Sequence, residues 1–256
     1  MANRRGFRRI HLAWIIPLGL ILILAAGFLI YSASYYHADS TALEALNSAG
    51  DVQVMKTDYG WFFDGPSEEC ALVFYPGAKV EETAYAPLLR GLAQAGMDAC
   101  LVKMPLRFAF LGIDRAGAVM KEHDHARWFV GGHSLGAAMA AEFAAKHAGE
   151  VEGVILLGAH IDRALDAGLL ELVIHGTEDG LATEEDIARG RQSATARYVE
   201  HAIQGGNHAQ YGNYGVQAGD GTATISAQAQ QDETVRAIIE AVSGAEAPER
   251  GASGQA

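Results

Sequence analysis

The chain has 256 residues, half of them apolar and a fifth charged, which is enough material for one well-packed α/β core. Its net charge of −12 conceals an asymmetry, because Arg4, Arg5, Arg8 and Arg9 all precede the first acidic residue, Asp39. The remainder holds 15 basic against 31 acidic residues, a net charge of −16. Phosphate backbones repel so acidic a body, and we therefore exclude nucleic acid as a partner.

The two cysteines, Cys70 and Cys100, are too few for a disulfide scaffold and lack the Cys-x-x-Cys spacing of a metal site. We interpret them as buried thiols, with a disulfide between them as the alternative. The sequence predicts neither a metal nor a cofactor, and it does not indicate an oligomeric state.

The first predicted element is an uncharged apolar run from Leu12 to Tyr31, 20 residues long. At about 1.5 Å per residue, such a helix spans about 30 Å of hydrocarbon. A cleaved signal peptide is one alternative, since Ser32-Ala33-Ser34 offers small residues, and a buried core helix is another. The apolar core of a signal peptide is usually about 7 to 15 residues long, so we favour an uncleaved transmembrane anchor over residues 12–34.

The distribution of basic residues around this span predicts its orientation. Residues 1–11 hold the arginine cluster, and no basic residue follows the span closely. Because positive charge is retained on the cytoplasmic side, we expect a cytoplasmic N-terminus and an extracytoplasmic body. The predicted location is the cell membrane, with a single pass.

The body begins with a juxtamembrane connector over residues 35–50, followed by one domain over residues 51–242. The first two strands would form a hairpin at a sheet edge, and after them apolar strands alternate with helices. This alternation predicts a three-layer α/β/α sandwich with a mainly parallel sheet. We expect residues 243–256 to be a disordered tail. The strands are predicted at Val52–Thr57, Gly60–Phe63, Ala71–Tyr75, Asp98–Met104, Arg127–Val130, Val154–Leu157, Leu170–His175 and Ala196–His201. The helices are predicted at Pro87–Ala95, Arg115–Asp124, from Ser134 to His147, Glu184–Ser193 and Ser226–Val242, with Ser226 as an N-cap.

A candidate nucleophile, Ser134, lies in the stretch Gly131-Gly132-His133-Ser134-Leu135-Gly136-Ala137. Chance alone supplies a Gly-x-Ser-x-Gly match in roughly one chain in seven of this composition, so the setting has to decide. Here an apolar strand precedes the serine and a helix follows it, as in a nucleophile elbow. Gly132 and Gly136 leave room for the strand and the helix to pack closely.

A serine hydroxyl needs a base and an orienting acid, in the order serine, acid, histidine for this kind of elbow. The acid candidates are Glu178 and Asp179, which follow the strand Leu170–His175 directly. Adjacent side chains point in different directions, so only one of them can orient a histidine, and we favour Asp179. The base candidate is His208, in a glycine-rich loop before the final helix.

Acyl transfer also requires donors for the oxyanion. One is expected from the backbone N–H of Leu135, the residue after the nucleophile, and another from the turn after an early strand. Tyr75-Pro76-Gly77-Ala78-Lys79 forms such a turn, and the N–H of Ala78 is our candidate. An ordinary Pro-Gly turn is the alternative interpretation.

These motifs together resemble the α/β-hydrolase superfamily, in particular its small, lidless members of the dienelactone-hydrolase-like and alpha/beta hydrolase fold-5 kind. The resemblance covers about Ala71 to Val242, and it supports Asp179 as the acid. Many relatives have His-Gly where this chain has Pro76-Gly77, a departure that bears on the oxyanion assignment. Dienelactone hydrolases use cysteine in the elbow, so the serine here argues against carrying over their activity. The matching motifs are Tyr75-Pro76-Gly77-Ala78, Gly132-His133-Ser134-Leu135-Gly136, Gly176-Thr177-Glu178-Asp179 and Gly206-Asn207-His208.

We therefore expect a membrane-anchored serine hydrolase whose substrate is a small-molecule ester. Only 22 residues separate Met104 from Arg127, too few for a large cap domain, so an open site is expected. Thioesterase, peptidase and acyltransferase activities are alternatives on the same triad. A non-catalytic extracytoplasmic binding protein and a structural subunit of a membrane complex are alternatives from other classes. Further side chains near predicted strand ends are candidates to line the site: Tyr75, Lys79, Glu81, Glu82, Met104, Arg107, Phe108, Tyr211 and Tyr214.

Overall fold

The computed structural model describes residues 4–194 and 197–244. The chain divides into two compact units, of which the first ends at Tyr35 and the second begins at Tyr36. The predicted tail from residue 245 onward lies outside the described residues.

The first unit contains one helix, α1 (Arg4–Ala33). Within it, Trp14–Ala33 is long and apolar enough to cross a membrane, and almost none of this stretch is buried. The leucine and isoleucine side chains from Ile15 to Ile30 are mostly exposed to solvent. A helix of a soluble protein buries at least one apolar face, whereas an anchor or a signal sequence leaves its apolar side chains to contact lipid. The helix is compatible with the predicted anchor and with a signal sequence.

The second unit is built on a sheet of eight strands in the order β1-β2-β4-β3-β5-β6-β7-β8. The β1-β2 and β2-β4 pairs are antiparallel, and all other pairs are parallel. The predicted edge hairpin, β1-β2, and the mainly parallel sheet are confirmed. The strands are β1 (Gln53–Lys56), β2 (Gly60–Asp64), β3 (Cys70–Tyr75), β4 (Asp98–Val102), β5 (Arg127–His133), β6 (Gly153–Leu157), β7 (Leu170–Gly176) and β8 (Arg197–Ile203).

Helices cover both faces of this sheet, because the parallel strands are apolar on both sides. One core packs helices α3 and α7 against the face of β3 that carries Leu72 and Phe74. The other packs α5 against the face that carries Val73 and Tyr75. The three-layer α/β/α architecture is confirmed. The helices of this unit are α2 (Ser40–Glu44), α3 (Ala86–Gln94), α4 (Arg115–Val119), α5 (Leu135–Lys146), α6 (Glu184–Ser193) and α7 (Ala227–Ser243).

The helix predicted over Arg115–Asp124 is half that length, since α4 ends at Val119. After α4 the chain turns and places His123 against β2, the second strand of the sheet. The ring of His123 lies 4.1 Å from that of Phe62, and its Nε2 lies 2.8 Å from the hydroxyl of Tyr59. These tertiary contacts outweigh the local helical pattern.

Three further findings concern sequence predictions in this unit. The segment predicted as a juxtamembrane connector, residues 35–50, contains α2, and its Tyr36 forms a parallel bridge with Val80 of the body. Cys70 and Cys100 are both free and buried, in agreement with the interpretation as buried thiols. The predicted N-cap of the last helix is also confirmed, because the side chain of Ser226 accepts a hydrogen bond from the N–H of Ala229.

Candidate active site

Ser134 lies on the tight turn that joins β5 to α5. Its φ of 55° and ψ of −125° lie outside the regions that non-glycine residues normally occupy. Such strain persists only where the surrounding structure fixes the backbone. Here the serine N–H donates to the carbonyl of Leu157 at 2.9 Å. The turn therefore presents the serine side chain at the carboxyl end of the sheet.

Gly132 and Gly136 allow the elbow to pack against the turn after β3. A side-chain carbon on Gly136 would overlap the carbonyl oxygens of Tyr75 and Pro76, and one on Gly132 would overlap the carbonyl of Tyr75. These glycines therefore leave room for a specific neighbour, the backbone of Tyr75 and Pro76. The predicted oxyanion turn lies directly beside the serine elbow.

Asp179 is the carboxylate that contacts the candidate base. Its Oδ2 lies 2.9 Å from Nδ1 of His208, while Oδ1 accepts the N–H groups of Leu181 at 2.8 Å and Ala182 at 2.7 Å. The side chain is fully buried. Glu178 is exposed and has no contact with the imidazole, so between the two acid candidates the geometry favours Asp179.

His208 is held through one ring nitrogen, Nδ1, which lies on the carboxylate of Asp179. Its Nε2 is buried and forms no hydrogen bond to the described residues. Ser134 and His208 line the same cavity at the carboxyl ends of the strands. An imidazole nitrogen with its partner nitrogen on a carboxylate is the arrangement that a general base requires.

Gly158, at the end of β6, makes room for the Asp179–His208 pair, and it was not identified from the sequence. Its φ of +53° is in the left-handed region, and a side-chain carbon there would lie 3.0 Å from Nδ1 of His208 and 3.2 Å from Oδ2 of Asp179. The sequence feature that could have identified it is its position, as a glycine directly after the predicted strand Val154–Leu157.

Asp220 fixes the loop that carries the histidine, and sequence reasoning also missed it. Its carboxylate accepts the N–H groups of His208 at 3.1 Å, Ala209 at 2.8 Å and Gly180 at 3.2 Å. The same side chain thereby joins the histidine loop to the turn of Asp179. The sequence around it, Gly219-Asp220-Gly221, indicates only a turn.

Helix α7 supports the same loop through a buried glutamine. Gln230 accepts the N–H of Asn207 at 3.0 Å through Oε1 and donates to the carbonyl of Asn207 at 2.7 Å through Nε2. Its side chain is fully buried. Since both backbone groups of Asn207 are satisfied by one side chain, the residue before His208 has a fixed position.

The two predicted oxyanion donors belong to the first residue of α5, Leu135, and to the turn after β3, which carries Ala78. The N–H groups of Ala78 and Leu135 form no hydrogen bond within the described part of the chain. The N–H of the neighbouring Gly77 donates to the hydroxyl of Tyr85 at 3.1 Å, which fixes the turn. Two unengaged N–H groups beside a serine can accept developing negative charge.

His133, the last residue of β5, is fully buried, and its surroundings favour the neutral ring. Burial and the neighbouring His208 lower the pKa of His133 well below its usual value. Its Nδ1 lies 2.8 Å from the hydroxyl of Tyr85, and its ring centroid lies 4.4 Å from that of His208. A neutral ring in this position adds no charge that would oppose formation of an imidazolium at His208.

The cavity at Ser134 has a volume of about 400 Å³ and is open to solvent. Its walls are mainly small or aliphatic, so it can accept an apolar group next to the serine. Of the nine further candidates predicted to line the site, none is among the described residues that line this cavity; Tyr75 and Tyr211 are instead buried in the core. The lining residues are Ser134, Leu135, Ala138, Gly158, Ala159, His160, Leu181, Ala182 and His208.

A family model described as the alpha/beta hydrolase family matches residues 71–232, and the chain belongs to that family. This match confirms the predicted membership of the α/β-hydrolase superfamily. No curated protein sequence matches the chain.

Solved structures of several hydrolases share the fold. A dienelactone hydrolase from Anabaena variabilis is 12% identical, with a TM-score of 0.52 over 75% of this chain and 99% of that one. An M. tuberculosis esterase is 15% identical, with a TM-score of 0.52 over 79% of this chain and 94% of that one. A bacterial membrane phospholipase A is 11% identical, with a TM-score of 0.55 over 95% of this chain and 99% of that one. At these identities the likeness establishes the fold alone.

Proposed function

We propose that this protein is a serine hydrolase that cleaves carboxylic esters with Ser134, His208 and Asp179. The observation that carries the proposal is the pairing of Asp179 with Nδ1 of His208 at 2.9 Å, with Nε2 of that ring unengaged in the cavity that Ser134 lines. The esterase and the phospholipase among the similar folds support hydrolysis of esters.

In the first half of the reaction, Oγ of Ser134 attacks the ester carbonyl carbon while its proton passes to Nε2 of His208. The carbonyl oxygen becomes an oxyanion, which accepts hydrogen bonds from the N–H groups of Ala78 and Leu135. The bond to the alcohol then breaks, and the alcohol takes the proton from Nε2. An acyl group remains on Ser134.

Water completes the cycle by attacking the acyl-enzyme and giving a proton to Nε2 of His208. When the second oxyanion collapses, the acid departs and Oγ of Ser134 regains the proton. The carboxylate of Asp179 is held by the N–H groups of Leu181 and Ala182, and through its contact with Nδ1 of His208 it stabilises the imidazolium in each half.

We further propose that α1 anchors the protein in the cell membrane with the hydrolase body on the extracytoplasmic side. The length and apolar character of Trp14–Ala33 support a span, and the four arginines that precede it support a cytoplasmic N-terminus. Protease accessibility of the body in sealed membrane preparations tests this orientation.

Replacement of the nucleophile tests the catalytic proposal. We expect Ser134→Ala to lower kcat on p-nitrophenyl butyrate by on the order of 10⁶-fold, because no other group can form the acyl-enzyme. Labelling by a fluorophosphonate probe should be lost in the same variant. Ser48→Ala, which alters an exposed serine on a distant loop, is the matched control and should keep both properties. Retained turnover in Ser134→Ala would refute the proposal.

A panel of acyl compounds separates ester hydrolysis from related reactions on the same residues. We expect turnover of oxygen esters to exceed that of matched thioesters and amides. A strong preference for thioesters or amides would leave Ser134 as nucleophile but reassign the substrate. A body that neither turns over any of them nor reacts with the probe would be a binding protein.

A further inference from the structure

The chain enters the hydrolase body beside the active site. The N–H of Tyr36 donates to the carbonyl of Lys79 at 2.8 Å, and the N–H of Glu81 donates to the carbonyl of Tyr36 at 2.9 Å. The hydroxyl of Tyr36 accepts the N–H of Ala218 at 3.2 Å, and its ring lies 5.6 Å from that of Tyr214. The first residue of the body is therefore fixed between the candidate oxyanion turn and the loop that follows His208.

Large apolar side chains are exposed on the two segments next to this entry point. Val216, on the loop that contacts Tyr36, is 90% exposed. The second segment is tied to the oxyanion turn, since the N–H of Lys79 donates to the carbonyl of Arg107 at 3.0 Å. It carries Leu106, Phe110 and Leu111, which are 40%, 44% and 44% exposed. We call Leu106, Phe110, Leu111 and Val216 the apolar rim.

The backbone next to part of this rim is strained. Leu106 and Arg107 are consecutive non-glycine residues with φ of 50° and 61°. A branched residue in the left-handed region costs free energy, and such positions tend to occur at ligand-binding and functional sites. Here the conformation leaves a leucine side chain exposed to water. Hydrophobic burial would ordinarily disfavour this placement unless another surface covers it.

The loop that carries Val216 adjoins the catalytic cavity. Leu181 lines the cavity and is 40% exposed. A side-chain carbon on Gly219 would lie 3.2 Å from its Cδ2, so Leu181 adjoins the loop of Val216. An exposed aliphatic side chain of the cavity wall therefore lies next to the loop of Val216.

Only Ser34 and Tyr35 separate the end of α1 from Tyr36. Consecutive Cα atoms are 3.8 Å apart, so this link can extend by about 11 Å at most. A bilayer that holds α1 must therefore lie close to Tyr36 and to the apolar rim around it. We propose that the apolar rim contacts the bilayer surface, and that the substrate is an ester-bearing lipid of that same bilayer. This inference rests on the serine hydrolase activity and the anchor proposed above.

The test compares one ester in the bilayer with one in water. The full-length protein is reconstituted in vesicles of phosphatidylcholine alone, which carry no net charge and so leave apolar contact as the variable. The bilayer ester is a fluorogenic phosphatidylcholine, and the soluble ester is p-nitrophenyl butyrate. We expect the double variant Phe110→Asp with Leu111→Asp to lose about tenfold or more of the bilayer activity, because each charge opposes insertion. Its activity on p-nitrophenyl butyrate should stay within twofold of the original.

Val199→Asp provides the matched control, because Val199 is 40% exposed on β8, away from the carboxyl end of the sheet. It should leave both activities unchanged. A parallel loss of both activities in the double variant, or a loss of neither, would overturn the inference. Should Ser134→Ala keep its activity on p-nitrophenyl butyrate, the serine hydrolase proposal fails instead.

Bilayer contact has a second readout that does not depend on turnover. A polarity-sensitive fluorophore on Val216→Cys should shift its emission to shorter wavelength on reconstitution and be quenched by nitroxide-labelled lipids. The same label on Val199→Cys should show neither change. The native cysteines are buried and do not compete for the label. An unshifted and unquenched probe at Val216 would also overturn the inference.

Discussion

Ser134 illustrates how one strained residue depends on its neighbours. Its positive φ is maintained by the bond from its N–H to Leu157 and by the close contact of Gly136 with Tyr75 and Pro76. The strain belongs to the backbone of the turn, and the free energy that offsets it comes from packing of β5 and α5 around it. At this scale, the activity proposed for Ser134, His208 and Asp179 depends on the positions of a few neighbouring atoms.

Gly158 provides a test of that dependence. In Gly158→Ala, the new carbon would meet the His208–Asp179 contact at 3.0 to 3.2 Å and would occupy a φ of +53°. We expect kcat on p-nitrophenyl butyrate to fall by about 10- to 100-fold because the imidazole is displaced, and unfolding to become easier by about 1–2 kcal/mol. Steady-state kinetics and urea denaturation of the detergent-solubilised protein measure the two effects.

The control is Gly149→Ala, since nothing lies within 4 Å of a side-chain carbon at Gly149 and its φ is not positive. It should keep full activity and equal or slightly greater stability. Unchanged kcat in Gly158→Ala would show that the His208–Asp179 pair tolerates displacement and would contradict this account.

At the scale of elements, the proposed triad depends on loops that the helices and strands hold in place. Asp220 ties the histidine loop to the acid turn, while Gln230 of α7 binds both backbone groups of the residue before His208. A buried polar network stabilises only if every member is satisfied. Helix α7 therefore contributes to the site although none of its described residues lines the cavity.

Gln230→Leu tests this contribution. The leucine keeps the size of the side chain but leaves the N–H and C=O of Asn207 buried without partners, at a cost of about 2–4 kcal/mol. We expect lower stability together with a kcat reduced by about tenfold or more, because His208 loses its fixed position. The pH profile of kcat should broaden or shift as well, a change that simple destabilisation does not produce.

Gln228→Leu on the same helix is the control, because its amide is exposed and bonds only to the side chain of Asp232. Both stability and kcat should stay near those of the parent. If Gln230→Leu lowered stability but left kcat and the pH profile intact, α7 would have no role in positioning the histidine.

At the scale of the whole molecule, one buried acid makes stability depend on pH. Glu171 on β7 is 1% exposed, and neither of its carboxylate oxygens forms a hydrogen bond to the described residues. Burial raises the pKa of Glu171 from 4.5 to about 7. Between these values the native state holds a proton that the unfolded state has released, so stability is greatest below the lower value and falls as pH rises through the upper one.

Glu171→Gln removes this titration. Going from about pH 4 to pH 8, the parent should lose up to about 3 kcal/mol more unfolding free energy than the variant does. Urea denaturation at the two pH values measures the difference. Glu68→Gln, at an exposed loop position, should behave as the parent. An identical pH dependence in the parent and Glu171→Gln would mean that the carboxyl group finds a partner or water and stays ionised.

Much of the architecture follows from the sequence, because parallel strands buried on both faces give continuous apolar runs such as Cys70–Tyr75. Strand ends moved by one to three residues; β5, for example, continues through Gly131 and Gly132 to His133. The sequence does not indicate that continuation, because glycine has a low strand propensity. Glycine occupies these strand positions because the neighbouring backbone leaves no space for a side chain. The shortened α4 has the same kind of cause, a tertiary contact that local pattern does not encode.

The candidate site shows the same difference between what local sequence patterns predict and what tertiary contacts determine. The sequence alone determined the elbow around Ser134, its chain order with Asp179 and His208, and the turn of Ala78, because these residues belong to local motifs with fixed chemistry. Only the tertiary structure showed the contact of Asp179 with His208, identified Gly158, Asp220 and Gln230, and fixed Tyr36 beside the candidate active site. These depend on contacts between segments distant in the chain, and no local pattern of residue types records which distant segment a side chain will meet.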